Sequence, residues 1–240
     1  MSGDEYSKFR PLYCSGLDGK IARSEDFHRA LDNKKNRFLK EILVKKQLHA
    51  SSFNKFNDTL EFVFGYRRSE INREQLQEIF DIKNDLKICS FSKKFRSNDS
   101  RERLMWAHYT GGDRGIRIDF ELDGEYEIYD VKYENKAKIL NSLNDFSRNA
   151  IAILTTKMKP WAYERECRTI THDTDKIKIK IKQIVIGRAF LRLGFDYYET
   201  NKFDDNIIKF ARKIKRLVGD DVKVLTYASR YLNELIVIEN

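Results

Sequence analysis

Apolar and polar residues alternate in several stretches of the chain, and this pattern predicts β-strands. Between 111 and 122 a glycine turn leads into Ile116, Ile118 and Phe120, which are spaced to point to one side of a strand. Similar patterns, bounded by turn residues, predict further strands. The predicted strands are 5–13, 86–93, 111–122, 126–133, 163–171, 177–186, 222–228 and 234–239.

Other stretches repeat apolar residues every three or four positions, and this spacing predicts helices. Phe38, Ile42 and Leu43 recur in this way within 25–48, with lysines on the opposite face. Because helices and strands are mixed without a regular βαβ order, we expect an α+β fold with a mixed, mostly antiparallel (split) sheet flanked by helices. The predicted helices are within 25–48, after an N-cap at Asn72, over 97–109 with a cap at Asn98, Asp99 or Ser100, over 136–156 and over 204–218.

Composition indicates one folded unit with a sizeable core. Of 240 residues, 41% are hydrophobic and 12% aromatic, with two prolines and no Gly/Ser-rich linker. We therefore expect a single domain over 1–240, which the basic helix and two strands at 204–239 complete. Since there is no apolar run of about 18 residues, no signal peptide and no CxxC pair, we expect a cytoplasmic protein that does not contact a membrane.

The net charge of +9 comes from 46 basic and 37 acidic residues. Such an excess favours a polyanionic partner, such as nucleic acid or a phosphate-bearing ligand. The alternative is ordinary charge on a solvated surface. The excess is greatest at 34–46, 93–103, 176–182 and 209–216, and the first and last of these look like helices with a solvated basic face.

The segment KPWAYERECR (159–168) contains two glutamates two residues apart. If it is a strand, Glu164, Glu166 and Arg168 line one face, while Tyr163 and Cys167 face the core. Two carboxylates on one face raise the pKa of at least one of them unless a cation such as Arg168 compensates. Alone, the pattern fits an exposed charged strand, whereas its neighbours favour the edge of an active site.

Those neighbours have side chains suited to ligand binding. Trp161 offers a flat wall shortly after Lys157, and SFS (90–92) ends a strand with two hydroxyls. WAHY (106–109) places a tryptophan, a histidine and a tyrosine before a double glycine. The alternatives are turn serines, core packing of the two aromatic residues and a structural histidine.

Signatures of several other chemistries are missing. GGDRG (111–115) does not have the pattern of a phosphate loop, and no HExxH, GxSxG or kinase signature occurs. The four histidines are scattered, so we expect no metal site built on histidine. A nuclease in which carboxylates bind magnesium is an alternative, with ERECR joined by Asp119 or Asp130.

Several motifs occur in the order seen in a known bacterial family. They are YSKFRPL, SSFNKFND, ICSFSK, LMWAHYTGGDRGIRIDF, VKY, TKMKPWAYERECRTI and IKQIVIG. Together they resemble the domain-of-unknown-function family 2971, with its LMWxHYxxxxxG and WxYExExR patterns, over residues 5 to about 187. One departure is FNDT (56–59), where the family commonly has a proline after the aspartate.

The layout of these motifs is similar to that of ADP-ribosyltransferases of the R-S-E toxin type, although the stretch between SFS and ExE is long. The similarity implies that Arg10 holds a phosphate of NAD and that Ser90 or Ser92 orients the catalytic glutamate. Glu166 would bond the nicotinamide ribose and stabilise an oxocarbenium-like transition state, and Glu164 would position or deprotonate the acceptor. Trp106, Tyr109 or Trp161 would stack on the nicotinamide or adenine. The implied cofactor-binding residues are Arg10, Ser90, Ser92, Trp106, His108, Tyr109, Lys157, Trp161 and Arg168.

We therefore expect a cytoplasmic ADP-ribosyltransferase or NAD glycohydrolase with an ADP-ribosyltransferase-like fold, which uses NAD as substrate. The acceptor would be nucleic acid or protein, and the resemblance implies a bacterial toxin or antiphage effector. Two alternatives stay open: a non-catalytic nucleic-acid-binding or regulatory module, and a carboxylate-metal nuclease. The sequence does not indicate an oligomeric state.

Overall fold

A computed structural model describes residues 4–13, 31–56, 58, 60–67, 69–96, 99–140, 145–191, 196–200, 202–203 and 205–238. The chain groups into two compact units. Unit 1 consists of Met1–Gln47, Lys94–Asp123 and Lys178–Asn240, and unit 2 of Leu48–Lys93 and Gly124–Ile177. Each unit therefore combines stretches that are far apart in the sequence. That the chain is a single domain stays a prediction.

The secondary structure consists of short strands and helices. The strands are β1 (Tyr6–Pro11), β2 (Gln47–His49), β3 (Ser51–Ser52), β4 (Phe64–Tyr66), β5 (Lys87–Lys93), β6 (Gly115–Leu122), β7 (Ile128–Asp130), β8 (Lys132–Glu134), β9 (Lys138–Leu140), β10 (Thr156–Met158), β11 (Glu166–Thr171), β12 (Lys176–Ile186), β13 (Lys223–Tyr227) and β14 (Leu235–Val237). The α-helices are α1 (Arg37–Lys45), α2 (Arg73–Asp85), α3 (Ser100–Thr110), α4 (Phe146–Leu154), α5 (Tyr197–Thr200) and α6 (Asp205–Val218). Short 3-10 helices span Lys34–Asn36, Phe53–Lys55, Lys159–Glu164 and Arg188–Phe190.

The strands of unit 1 follow the order β14-β13-β12-β6-β1. β6 pairs antiparallel with β1 and β12, and β13 pairs antiparallel with β14, whereas β12 and β13 are parallel. Helix α3 packs on β1 and β6, and α6 packs on β13. The unit is therefore a mixed, mostly antiparallel sheet with flanking helices.

The core of unit 1 is rich in aromatic residues. Trp106 on α3 packs edge-on against Phe9, with 5.2 Å between ring centroids, and lies 6.1 Å from the ring of Tyr227. Helix α3 ends at Thr110 and is followed by Gly111, whose φ of 66° is the left-handed conformation that glycine adopts without strain. The indole thus fixes α3 against the sheet.

In unit 2, β11 lies between β5 and β7 and pairs antiparallel with both. β3 pairs antiparallel with β5, and two further pairs, β10 with β8 and β4 with β9, are parallel. Helices α2 and α4 pack together over an apolar core. A capping box starts α2, because Asn72 and Gln75 each accept a hydrogen bond from the other's backbone N–H.

The α+β class, with a mixed sheet and flanking helices, is confirmed. The cap predicted at Asn72 is confirmed, and of the three residues predicted to cap α3 it is Asp99 that does so, since each of these side chains accepts a backbone N–H of its helix. Asn98, and residues 25–30 of the helix predicted within 25–48, lie outside the described residues.

Two predicted elements are wrong in part. In the stretch 136–156, where one helix is predicted, Lys138–Leu140 instead form β9 and α4 spans Phe146–Leu154, while residues 141–144 lie outside the described residues. β9 finds a parallel partner in β4, and pairing outweighs the helical spacing there. The strand predicted over 163–171 begins only at Glu166, after a 3-10 helix. Within the described ranges, no helix is both long and apolar enough to cross a membrane.

A close backbone contact makes Gly187 a test of the packing of unit 1. A Cβ atom at Gly187 would lie 2.1 Å from the carbonyl oxygen of Asp113 and 3.0 Å from the indole of Trp106. We expect Gly187→Ala to lower the free energy of unfolding by about 1–3 kcal/mol, measured by urea denaturation, because the backbone at Asp113 would have to shift to admit the methyl group. Gly65→Ala is the control, since its Cβ would meet the nearest atom at 3.8 Å. Equal stability of the two variants would contradict this packing.

Candidate functional site

The local fold of the KPWAYERECR segment differs from a simple strand. Pro160 lies in the first turn of the 3-10 helix Lys159–Glu164, a position that needs no backbone donor. Arg165 then takes a left-handed φ of 48°, which turns the chain into β11 at Glu166. The prediction that Glu164 lies on the strand beside Glu166 is therefore wrong. Cys167 is fully buried as predicted, whereas Tyr163 lies on the 3-10 helix and is partly buried.

Five ionisable side chains of unit 2 nevertheless meet in one place. Each of these side chains is at most 7% exposed, so water screens them little. We call this group the charge cluster. Its members are Glu61, Lys157, Glu164, Glu166 and Arg168.

Arg168 contacts two carboxylates of the charge cluster, a backbone carbonyl and an aromatic ring. Its Nε lies 2.8 Å from Oε1 of Glu166 and its NH2 lies 3.1 Å from Oε2. It also donates to the carboxylate of Glu61 and to the backbone carbonyl of Leu154. The guanidinium lies 4.9 Å from the ring of Phe62, a distance typical of a cation–π contact.

Lys157 on β10 joins the remaining carboxylates. Its Nζ is 2.7 Å from Oε2 of Glu164, 3.2 Å from Oε2 of Glu166 and 3.7 Å from Oε1 of Glu61. The ring of Trp161, on the 3-10 helix, lies 5.2 Å from the same nitrogen. The lysine is thus held by three carboxylates and one aromatic face.

The charge cluster contains three carboxylates and two cations, so its formal charge is −1 when all members are ionised. Burial raises the pKa of Glu166, but the charges of Arg168 and Lys157, with hydrogen bonds from Arg168 and Ser90, outweigh burial and lower it from 4.5 to about 2. Burial also raises the pKa of Glu61, and there the two cations offset it only in part. Glu166 is therefore held ionised, and Glu61 accepts a proton more readily.

Two serines and a tyrosine lie close to Glu166. In the antiparallel pairing of β11 with β5, Glu166 is opposite Ser92 and Arg168 is opposite Ser90, so these four residues share one sheet face. The backbone N–H of Glu166 donates to the hydroxyl of Tyr133 at 2.8 Å. The serines of the SFS motif thus lie beside the second glutamate of the ExE motif.

A turn of the chain brings Glu61 and Phe62 to Arg168. Phe62 has a left-handed φ of 66°, and its carbonyl accepts a hydrogen bond from Lys83 at 3.3 Å. Burial lowers the pKa of Lys83 to about 8, since no carboxylate pairs with it in the described part of the chain. The rings that surround the amine are those of Phe53, Phe64 and Phe80, at 4.4, 5.2 and 5.3 Å.

The other residues predicted for the site belong to unit 1. Arg10 is on β1, opposite Ile116 of β6. Trp106 is 1% exposed in the core of unit 1, and its Nε1 donates to Glu102 at 2.9 Å. His108 is exposed and Tyr109 partly buried on the same helix. Ser90, Ser92, Lys157, Trp161, Arg168 and both glutamates of the ExE motif belong to unit 2.

Unit 1 has a buried polar network of its own, centred on Arg117. The guanidinium of Arg117 contacts Asp119 through two nitrogens, at 2.9 and 2.8 Å, and Glu102 at 2.5 Å. Asp119 also accepts from Gln183 at 2.6 Å, and Glu102 accepts from the hydroxyl of Tyr227 at 2.8 Å. These carboxylates are occupied by internal donors, a pattern typical of a structural network.

Asp119 and Asp130, which were considered as metal ligands of a nuclease, pair with basic side chains instead. Asp119 is bound within the Arg117 network, and Asp130 pairs with Lys93 at 2.6 Å on the surface of unit 2. Among the residues that the structure describes, no group of three or more His, Cys, Asp or Glu side chains is arranged to hold a metal ion.

Sequence reasoning missed two members of the site, Glu61 and Tyr133. Glu61 lies just after the FND loop, which was recognised as a motif, but nothing in its spacing points to Arg168. Tyr133 lies in the predicted strand 126–133, where alternation does not distinguish it from a packing tyrosine. Both act through contacts distant in sequence, which local patterns do not encode.

Comparison with protein-family models, with curated proteins and with solved structures finds no match to this chain.

The lowered pKa of Glu166 predicts a loss of stability in acid. The folded state binds fewer protons than the unfolded state between pH 4.5 and about 2, so this stabilisation is complete above 4.5 and is lost as the pH falls towards 2. We expect Glu166→Gln to flatten the dependence of the free energy of unfolding on pH in this window, measured by urea denaturation. The exposed Asp81→Asn is the control, and equal slopes in both variants would contradict the assignment.

Removing Arg168 should be costly because it leaves buried carboxylates without their main partner. We expect Arg168→Met to lower the free energy of unfolding by about 3–5 kcal/mol. The control is Lys93→Met, which breaks the exposed pair with Asp130 and should cost at most about 1 kcal/mol. Urea denaturation at neutral pH measures both, and similar losses would show that the charge cluster is not tightly coupled.

Proposed function

We propose that this chain cleaves NAD and transfers ADP-ribose to a macromolecule, either nucleic acid or protein, with Glu166 as the catalytic carboxylate. The observation that carries the proposal is the position of Glu166 on one sheet face with Ser90 and Ser92. A serine motif beside a glutamate of an ExE pair is the arrangement that the R-S-E resemblance implies. Water would take the place of the acceptor in NAD hydrolysis.

The electrostatics of the charge cluster favour this chemistry. Cleavage of NAD develops positive charge on the ribose as the bond to the pyridinium breaks. Glu166 has a pKa lowered to about 2, so it is ionised at neutral pH and is already oriented by Arg168. A fixed carboxylate stabilises an oxocarbenium-like transition state without reorganisation. The formal charge of −1 on the charge cluster also complements the positive nicotinamide ring.

The proposed reaction has two steps. The bond between ribose C1′ and the nicotinamide nitrogen breaks, and its electron pair leaves with nicotinamide, which becomes neutral. An acceptor oxygen or nitrogen then bonds to C1′, and its proton passes to Glu164 as general base. For this step Lys157 must release Glu164, and its flexible stem allows the ammonium to move.

Glu166→Gln tests the catalytic role directly. The substitution removes one carboxylate charge from a cluster with three carboxylates and two cations, so it leaves no unbalanced buried charge. We expect nicotinamide release from NAD, measured by chromatography, to fall about 100-fold or more. Asp81→Asn, an exposed change in unit 2, should behave as the wild type.

The same assay is run with NAD labelled on its adenine side, together with DNA, RNA and cell lysate, to identify the acceptor. Thermal unfolding establishes that each variant is folded, and Ser92→Ala is a milder second variant at the same face. Wild-type protein that releases no nicotinamide with any acceptor would contradict the proposal. Full activity in Glu166→Gln would remove Glu166 from the mechanism.

A further inference from the structure

Most of the excess positive charge of the chain lies on two helical segments of unit 1. The segment 32–46, which contains α1, and helix α6 together carry eleven basic and three acidic residues. This is an excess of eight in a chain whose net charge is +9. The remainder of the chain is almost balanced, so these segments concentrate the positive potential.

The two helices are neighbours within unit 1. They pack against each other, and Nζ of Lys213 on α6 lies 2.6 Å from Oδ2 of Asp32, shortly before α1. The apolar side of each helix is already used in the core of the unit. Its buried residues are Leu39, Ile42 and Leu43 on α1 and Ile207, Phe210, Ala211, Ile214 and Val218 on α6.

The cations lie on the exposed sides of these helices. Lys209, Arg212 and Arg216 are three or four residues apart on α6, so they form one stripe along it. We define the basic face as six exposed side chains that pair with no carboxylate among the described residues. They are Lys40, Lys45, Lys46, Lys209, Arg212 and Arg216.

An exposed aromatic ring, that of Phe38, lies on α1 with Lys40 and Lys45. Phe38 is 60% exposed, and the guanidinium of Arg37, which also pairs with Glu41 at 3.5 Å, lies 5.4 Å from its ring. An exposed ring among cations is suited to stack on a nucleic-acid base, since every base presents a π-face. A membrane is the poorer fit, because an interfacial helix needs a broad apolar face and that of α1 is buried in the core.

We propose that the basic face binds single-stranded nucleic acid through its phosphates, with Phe38 stacked on a base. The inference is independent of the NAD chemistry, because it depends only on charge and exposure in unit 1. Each lysine or arginine that contacts a phosphate displaces a counterion, so the affinity should fall steeply with salt.

Fluorescence anisotropy with the full chain tests the proposal, using a labelled single strand of about 20 nucleotides, as DNA or RNA, and the matching duplex. The variant Lys209→Ala/Arg212→Ala/Arg216→Ala removes the stripe. We expect it to bind at least tenfold more weakly and to reduce the slope of log K against log salt by about 2, since each lost contact with a single strand contributes about 0.7.

The control Lys55→Ala/Arg73→Ala/Lys132→Ala removes the same charge from exposed positions of unit 2. It should keep the affinity within about threefold, because most of the attraction is local. Equal loss in both triple variants would overturn the basic face as the binding surface. Binding to phosphatidylserine vesicles without binding to the oligonucleotides would overturn nucleic acid as the partner.

Phe38→Ala tests the stacking contact. We expect about tenfold weaker binding to the single strand and no change for the duplex, because only an unpaired base offers an open face. An equal effect on both probes would overturn the assignment to single strands. Thermal unfolding of each variant establishes that the loss is not a loss of fold.

Discussion

The arrangement of unit 2 depends on the contacts made by the guanidinium of Arg168. It joins three separate parts of the unit: the start of β11 through Glu166, the turn at Glu61, and the end of α4 through the carbonyl of Leu154. A fully buried cation is stable only when its donors are occupied, so each of these parts is fixed by the same group. The position of Glu166 is thus a consequence of charge satisfaction as well as of strand pairing.

The two units bury charge in contrasting ways. In unit 1, Arg117 lies between Asp119 and Glu102, and Gln183 and Tyr227 supply further donors. In unit 2, three carboxylates share two cations, and one of the cations is a lysine on a flexible stem. The first network is suited to fix a core. The second has one carboxylate more than it has cations, and burial raises the pKa of Glu61, one of the three carboxylates.

Local patterns predicted much of the fold. The strands β6 and β12 and the cap at Asn72 depend on patterns of residues near in sequence, and all three are present in the structure. Local patterns failed where contacts with distant residues determine the structure. β9 is a strand because it pairs with β4. At Arg165 a left-handed backbone separates Glu164 from β11. For the site, the sequence identified the ExE pair and the SFS serines but not Glu61, whose role comes from a contact 107 residues away.

Phe62 limits how this part of the sequence can change during evolution. Its left-handed backbone is one that a bulky residue rarely adopts, and a glycine would adopt it with less strain. A glycine, however, would remove the ring that covers Arg168 and contacts Phe56, leaving a void beside a buried charge. At this position a substitution that relieves the backbone strain also removes the ring that packs on Arg168. We expect substitutions at residue 62 to be accepted only together with changes at Arg168 or in the surrounding rings.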